Sequence, residues 1–143
     1  MTSPDFGDSL SPIHEHNRRA WDARVGSGKT FARAIDDEQF QEALADVDLR
    51  GRKLLCLAAG GGRQSVIYAA SGAEVTVVDI SGAMLELDRE AARERGLNVR
   101  TVEASMDHLP MLRDAEFDIV VQPVSSCYIP NLQSMYAEVA RIT

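Results

Sequence analysis

Three consecutive glycines, Gly60-Gly61-Gly62, stand between an apolar run, Lys53–Ala59 (KLLCLAA), and a helix-patterned segment, Arg63–Ala70. At such a junction glycines let the backbone approach a ligand with no Cβ in the way. The start of the helix then presents free amides and the positive end of its dipole. Asp79 closes the next β-branched segment, Glu74–Asp79 (EVTVVD), about twenty residues after the loop. In a doubly wound sheet that carboxylate reaches the crevice beyond the strand ends and accepts both hydroxyls of a ribose. Capping the following helix is its other potential role, but Ser81 already suits that position. The dinucleotide fingerprint G-x-G-x-x-G is not met. With Gly60 as its second glycine, Ala58 falls first and Arg63 third. An arginine where the helix must pack closely on the strand speaks against NAD.

Other suggestive residues carry less. Gly26-Ser27-Gly28-Lys29-Thr30 resembles the end of a phosphate loop, but position 23 is Ala23 and a helical pattern precedes it, so it reads as a plain loop. His14 and His16 lie two apart and point to different sides of a helix, which rules them out as a metal pair. Cys127 has no flanking pattern of a nucleophile and reads as a small, partly buried side chain. Asp107-His108 reads as a solvated turn rather than an acid–base pair. Two cysteines are too few for a disulfide scaffold.

The elements that must position these residues alternate between two periods. Residues 1–12 read as a mobile tail and 13–50 as a helical cap. Ile13–Arg24 forms a first helix with Ile13, Asn17 and Trp21 on one face. Residues 36–47 form a second, with Asp36 or Asp37 as cap and an apolar stripe of Phe40, Leu44 and Val47. Strands are expected over 53–59, 74–79, 98–102 and 117–121, the first apolar throughout as a strand buried on both faces should be. Helices are expected over 63–70, 82–95 and 131–142. The second starts at Ser81, gains apolar contacts from Met84, Leu85 and Leu87, and stops at Gly96; the third carries Leu132, Met135, Tyr136 and Val139 on one side. Strand and helix in succession mean right-handed crossovers and a parallel sheet: an α/β, doubly wound, Rossmann-like fold.

Composition bounds the function. The 143 residues suit one domain, and 45% hydrophobic content supports a sizeable core. Fifteen Lys+Arg against 22 Asp+Glu give a net charge of −7, which excludes a phosphate-tracking nucleic-acid groove. No apolar run approaches the ~20 residues of a membrane span, and Met1-Thr-Ser-Pro-Asp-Phe lacks the regions of a signal peptide. A cytoplasmic location is expected.

From about Leu54 to Asn131 the chain resembles the class I S-adenosylmethionine-dependent methyltransferases of the type 11 kind. The strand–glycine loop–helix, the strand ending in Asp79, the turn ASMDHLP and the segment FDIVV occur in the family's order; EHNRRAWDARV resembles its cap helix. The resemblance implies S-adenosyl-L-methionine as methyl donor, with Gly60 and Gly62 along its methionine and ribose part and Asp79 on the ribose hydroxyls. It places Ile80 against the adenine face, Ser105 and Met106 at the adenine edge, Gln122 near the methionine, and Trp21 as a closing group. Three positions depart from the pattern. Cys56 stands where an acidic residue is usual, Ala58 replaces the first glycine, and Ser105 replaces an aspartate. Ala58 is accommodated if its φ is negative. Asp107 either compensates for Ser105 or caps a short turn.

The resemblance further implies transfer to a small-molecule acceptor, sheet order 3-2-1-4, and a core over 51–143 that lacks the family's later strands. Strand 4, with Asp118 as its one charge, is then an edge through which the chain could self-associate. No catalytic residue can be assigned from donor-site motifs, and no metal is expected. Two other functions stay open: a module that binds the donor or its product without transfer, and an NAD-dependent oxidoreductase.

Overall fold

The computed structural model describes residues 11–28, 37–123 and 125–143. The tail up to residue 10, Lys29-Thr30, the Asp36 cap and the Phe40 side chain lie outside the described residues. Four parallel strands, β1 (Lys53–Leu57), β2 (Glu74–Asp79), β3 (Val99–Glu103) and β4 (Ile119–Val121), form one sheet in the order β3-β2-β1-β4. Around it run α1 (Pro12–Gly26), α2 (Asp37–Ala43), α3 (Gln64–Ala70), α4 (Gly82–Arg95) and α5 (Leu132–Ile142). This is the doubly wound order expected.

The central strand explains the layering. Leu54, Leu55, Cys56 and Leu57 are all fully buried, so β1 needs cover on both faces. Leu54 and Cys56 pack with Val75, Val77, Ile67, Tyr68 and Leu85, beneath α3 and α4. Leu55 and Leu57 pack on the opposite face with Leu109, Leu112, Phe117 and Ile142. Each such side chain contributes about 1.5–3 kcal/mol on burial, so the sheet centre is the stable floor on which the loops stand.

Several element expectations change; the first strand ends at Leu57, where Ala58 turns left-handed at φ +50°, and the first helix runs from Pro12 to Gly26. The second helix ends at Ala43, because Ala45 and Val47 donate to the carbonyls three residues back and the tightened chain delivers Leu49 into the core. Val47 is left exposed. In α5 the buried face is Met135, Val139 and Ile142, while Leu132 and Tyr136 face out; Tyr136 lies about 100° round the helix from Met135. Ile13 is exposed although Asn17 and Trp21, on the same face of α1, turn inward. The fourth strand starts at Ile119 because the Asp118 carboxylate itself takes the Lys53 amide at 2.9 Å.

Candidate functional site

The strands all point one way, so their C-terminal ends open onto a single crevice of about 230 Å³. Sheet order arranges its floor in sequence: Ala104, Ser105 and Met106 after β3, Asp79 and Ile80 at β2, the glycine loop after β1, and Pro123 and Ser125 after β4. Three strand spacings of about 4.8 Å make that floor roughly 14 Å long. At one end Ile80, Met84, Ala104 and Met106 give the crevice an apolar lining. At the other stand Arg63 and Gln64.

Asp79 is the carboxylate on that floor and is 8% exposed. One oxygen accepts from the Gly60 amide and the other from the Ser81 amide, both at 2.9 Å. Each oxygen keeps a further lone pair for a ligand hydroxyl. Burial raises its pKa to about 6, against the opposing pull of those amides. A Cβ on Gly60 would sit 3.0 Å from the Asp79 oxygen and 2.9 Å from Met84 Cβ, so only glycine lets the loop reach this carboxylate. Ser81 caps α4, its hydroxyl accepting from the Met84 amide at 3.1 Å, which leaves Asp79 free of that duty.

Gly62 does not line the crevice. Its φ is +76° and a Cβ there would meet the Leu87 carbonyl at 2.6 Å, so this glycine lets the loop pack on α4. Ala58 lines the crevice but has φ +50°, the left-handed region, which overturns the condition of a negative φ. Its amide donates to the Val78 carbonyl at 2.7 Å, which holds it there. Gln122 is turned aside: its amide nitrogen lies 3.3 Å from the Met106 sulfur and 3.0 Å from that of Met135. Ser105 is buried on the floor and its hydroxyl bonds the Asp107 carboxylate. Asp107 is no solvated turn residue, since it holds His14 Nε2 at 3.0 Å. Cys127 is exposed rather than partly buried. Cys56 is fully buried and desolvation raises its thiol pKa, so it stays neutral.

Helix α1 roofs the crevice with His14, Asn17 and Trp21. Four contacts hold it: His14 to Asp107, Asn17 Nδ2 donating to the Tyr128 carbonyl at 2.8 Å, the Trp21 ring edge-on to Tyr128 at 5.6 Å, and Ser81 Oγ donating to Asp22 at 2.6 Å. Sequence reasoning placed Trp21 here but missed His14, Asn17 and Tyr128, whose partners are remote in the chain.

It also missed Asp88, which is fully buried on α4. Asp88 accepts from the Gly61 amide at 2.9 Å and the Ser65 hydroxyl at 2.5 Å, bracing the glycine loop from behind. Its position was readable as a carboxylate on the face shared by Met84, Leu85 and Ala92. Among the described residues no cluster of His, Cys, Asp and Glu could hold a metal ion. No helix among them is long and apolar enough to cross a membrane.

Comparison with known proteins agrees with this geometry. Residues 55–143 match the family described as methyltransferase domain. The chain is 35% identical to the uncharacterized methyltransferase YbaJ of Bacillus subtilis, over 93% of this chain and 59% of that protein. It is 31% identical to the ubiquinone biosynthesis O-methyltransferase of Methylococcus capsulatus, over 93% of this chain and 55% of that one. It thus spans between half and three fifths of the length of these two relatives. Among solved structures, the magnesium protoporphyrin IX methyltransferase of Synechocystis with bound S-adenosylmethionine superposes with a TM-score of 0.74 at 17% identity, over 96% of this chain and 74% of that one. The geranyl diphosphate C-methyltransferase of Streptomyces coelicolor, in complex with S-adenosylhomocysteine, gives 0.74 at 18%, over 97% and 61%. On the match over 55–143, the chain belongs to the methyltransferase-domain family.

Proposed function

We propose that the crevice binds S-adenosylmethionine and that the protein transfers its methyl group to a small-molecule acceptor. The observation that carries this is Asp79: a buried carboxylate at the end of β2, approached by a glycine amide and keeping lone pairs for the paired hydroxyls of a ribose. The cradle formed where a Gly60 side chain would collide with Asp79 fits such a ligand. Asp79 would hold the ribose, Ile80, Met84 and Met106 the adenine, and the Ser105 hydroxyl the adenine edge. Gly60 and Ala58 would flank the sulfur-bearing chain, and Gly62 and Gln122 would act behind this surface by setting the loop and the Met106 thioether. The sulfonium, when bound, supplies a methyl carbon already activated for in-line displacement. The chain's own residues then have to align donor and acceptor and exclude water, which Trp21 and Tyr128 do by roofing the site.

The small-molecule acceptor rests on the relatives, whose names and complexes feature ubiquinone biosynthesis and geranyl diphosphate, and on the −7 charge, which disfavours nucleic acid. Family membership and Arg63 at the start of α3 set aside the oxidoreductase alternative. Thermal unfolding tests the donor site. At a hundred times its dissociation constant, S-adenosylhomocysteine should stabilise the chain by about 2.7 kcal/mol, while NADH does not. A shift with NADH alone would overturn the reading. Firm S-adenosylmethionine binding with no methyl transfer to any acceptor would leave a donor-binding module.

A further inference from the structure

One amide joins two methionines behind the wall of the crevice. Gln122 Nε2 stands 3.3 Å from the Met106 sulfur and 3.0 Å from that of Met135. The two thioethers differ in access: Met135 is fully buried on α5, whereas Met106 is half-buried and lines the crevice. A methionine side chain has three rotatable bonds and ordinarily shifts its sulfur with ease. Here the amide, itself held by the buried Met135, keeps the Met106 sulfur in one place. Of the other described methionines, Met84 is only 6% exposed, and Met111 packs against the core without lining the crevice.

A thioether sulfur has two lone pairs and accepts hydrogen bonds weakly. The Gln122 amide occupies one on Met106, and the second remains for an electrophilic oxygen. With hydrogen peroxide, that lone pair forms the new S–O bond as the O–O bond breaks. The other oxygen leaves with both protons as water. Sulfur is oxidised by two electrons to the sulfoxide, and the peroxide is reduced.

We propose that Met106 is a modification site, at which oxidation to the sulfoxide by peroxide weakens ligand binding in the crevice and reduction restores it. The switch rests on the donor-binding reading, because Met106 stands with Ile80, Met84 and Ala104 in the apolar lining where adenine would lie. An S=O dipole in that lining loses its water when a ring covers it, a cost the thioether does not have. The Gln122 amide pins the sulfur, so the side chain does not swing its new oxygen away.

The test uses the 143-residue chain carrying Cys127→Ser, which removes an exposed thiol that peroxide also attacks. This chain is treated with hydrogen peroxide, the excess is destroyed with catalase, and peptide fragmentation locates the added oxygen. S-adenosylhomocysteine is then titrated in. Oxygen should appear at Met106 ahead of Met84 and Met111, leave Met135 untouched, and weaken S-adenosylhomocysteine roughly tenfold or more. Sulfoxide reductases acting on both epimers should restore the affinity. In Met106→Leu, a swap of similar volume, peroxide should leave that variant's own affinity unchanged. Three results overturn the switch and leave the donor site standing: oxygen entering first at Met84, Met111 or Met135, a Met106 sulfoxide with unaltered affinity, or an equal loss in treated Met106→Leu. Untreated chain that is folded yet binds no S-adenosylhomocysteine overturns the donor reading, and the switch with it.

Discussion

Burial lifts the Asp79 carboxyl to about 6 from an ordinary 3.8, with the Ser81 and Gly60 amides pulling the other way. Between those values the folded chain holds a proton that the unfolded chain has released. The stability this contributes is present below about pH 3.8 and is lost as pH rises through about 6. Asp79→Asn should therefore gain stability relative to wild type from about pH 4 to about pH 7, by up to about 3 kcal/mol at ~1.4 kcal/mol per pH unit. Urea titrations of both proteins across that range measure it, and a pH-independent difference would contradict the buried-charge account. A ribose needs the ionised form, so wild-type donor affinity should fall below about pH 6 while that of Asp79→Asn stays flat. Ala58 offers a second reading at this scale. Its left-handed φ of +50° strains an L-residue by about 1–2 kcal/mol, part of which glycine returns as chain entropy in the unfolded state. Ala58→Gly should stabilise the chain by up to about 1 kcal/mol, read from the denaturation midpoint. A lower midpoint would mean that the methyl group packs productively.

Helix α4 does more than cover the sheet, because its buried Asp88 ties the glycine loop through Gly61 and Ser65. Asp88→Ala leaves a buried amide and hydroxyl without a partner, each costing about 1–3 kcal/mol. It should lower stability by about 2–4 kcal/mol and weaken S-adenosylhomocysteine more than an equally destabilising core variant such as Val66→Ala does. Equal ligand affinity in the two would reduce Asp88 to packing. The strands and helices were legible because β1 is apolar at every position but its first and α4 has both its Ser81 cap and its Gly96 stop in the sequence. The end of α2 was not, because Leu49 drew the chain into turns that local patterning does not encode. In the site, Asp79 and Gly60 were legible from spacing. The roof was not: His14 to Asp107 and Asn17 to Tyr128 span 93 and 111 residues. Gln122 followed the family pattern in sequence yet turned to two methionine sulfurs in the fold.

For the whole molecule, β4 is an edge among the described residues, paired only with β1, and Asp118 does not blunt it because its carboxylate is engaged by Lys53. Leu132 and Tyr136 on α5 are exposed, at 46% and 56%. We propose that the 143-residue chain associates with a second copy through the β4 edge, against the opposing −7 charge. Sedimentation at high micromolar concentration should show dimers that strengthen with salt, which screens that charge. A stable monomer throughout would sink this.

The proposed function requires that one crevice, floored by the glycine loop and Asp79, hold the methyl donor. Calorimetric titration of S-adenosylhomocysteine into wild-type and Asp79→Ala chain at neutral pH measures whether it does. The expected result is a loss of about 1.5–3 kcal/mol of binding free energy in the variant, the worth of hydrogen bonds to a charged group. Equal affinity in the two proteins, or no binding to a folded wild-type chain, would contradict it.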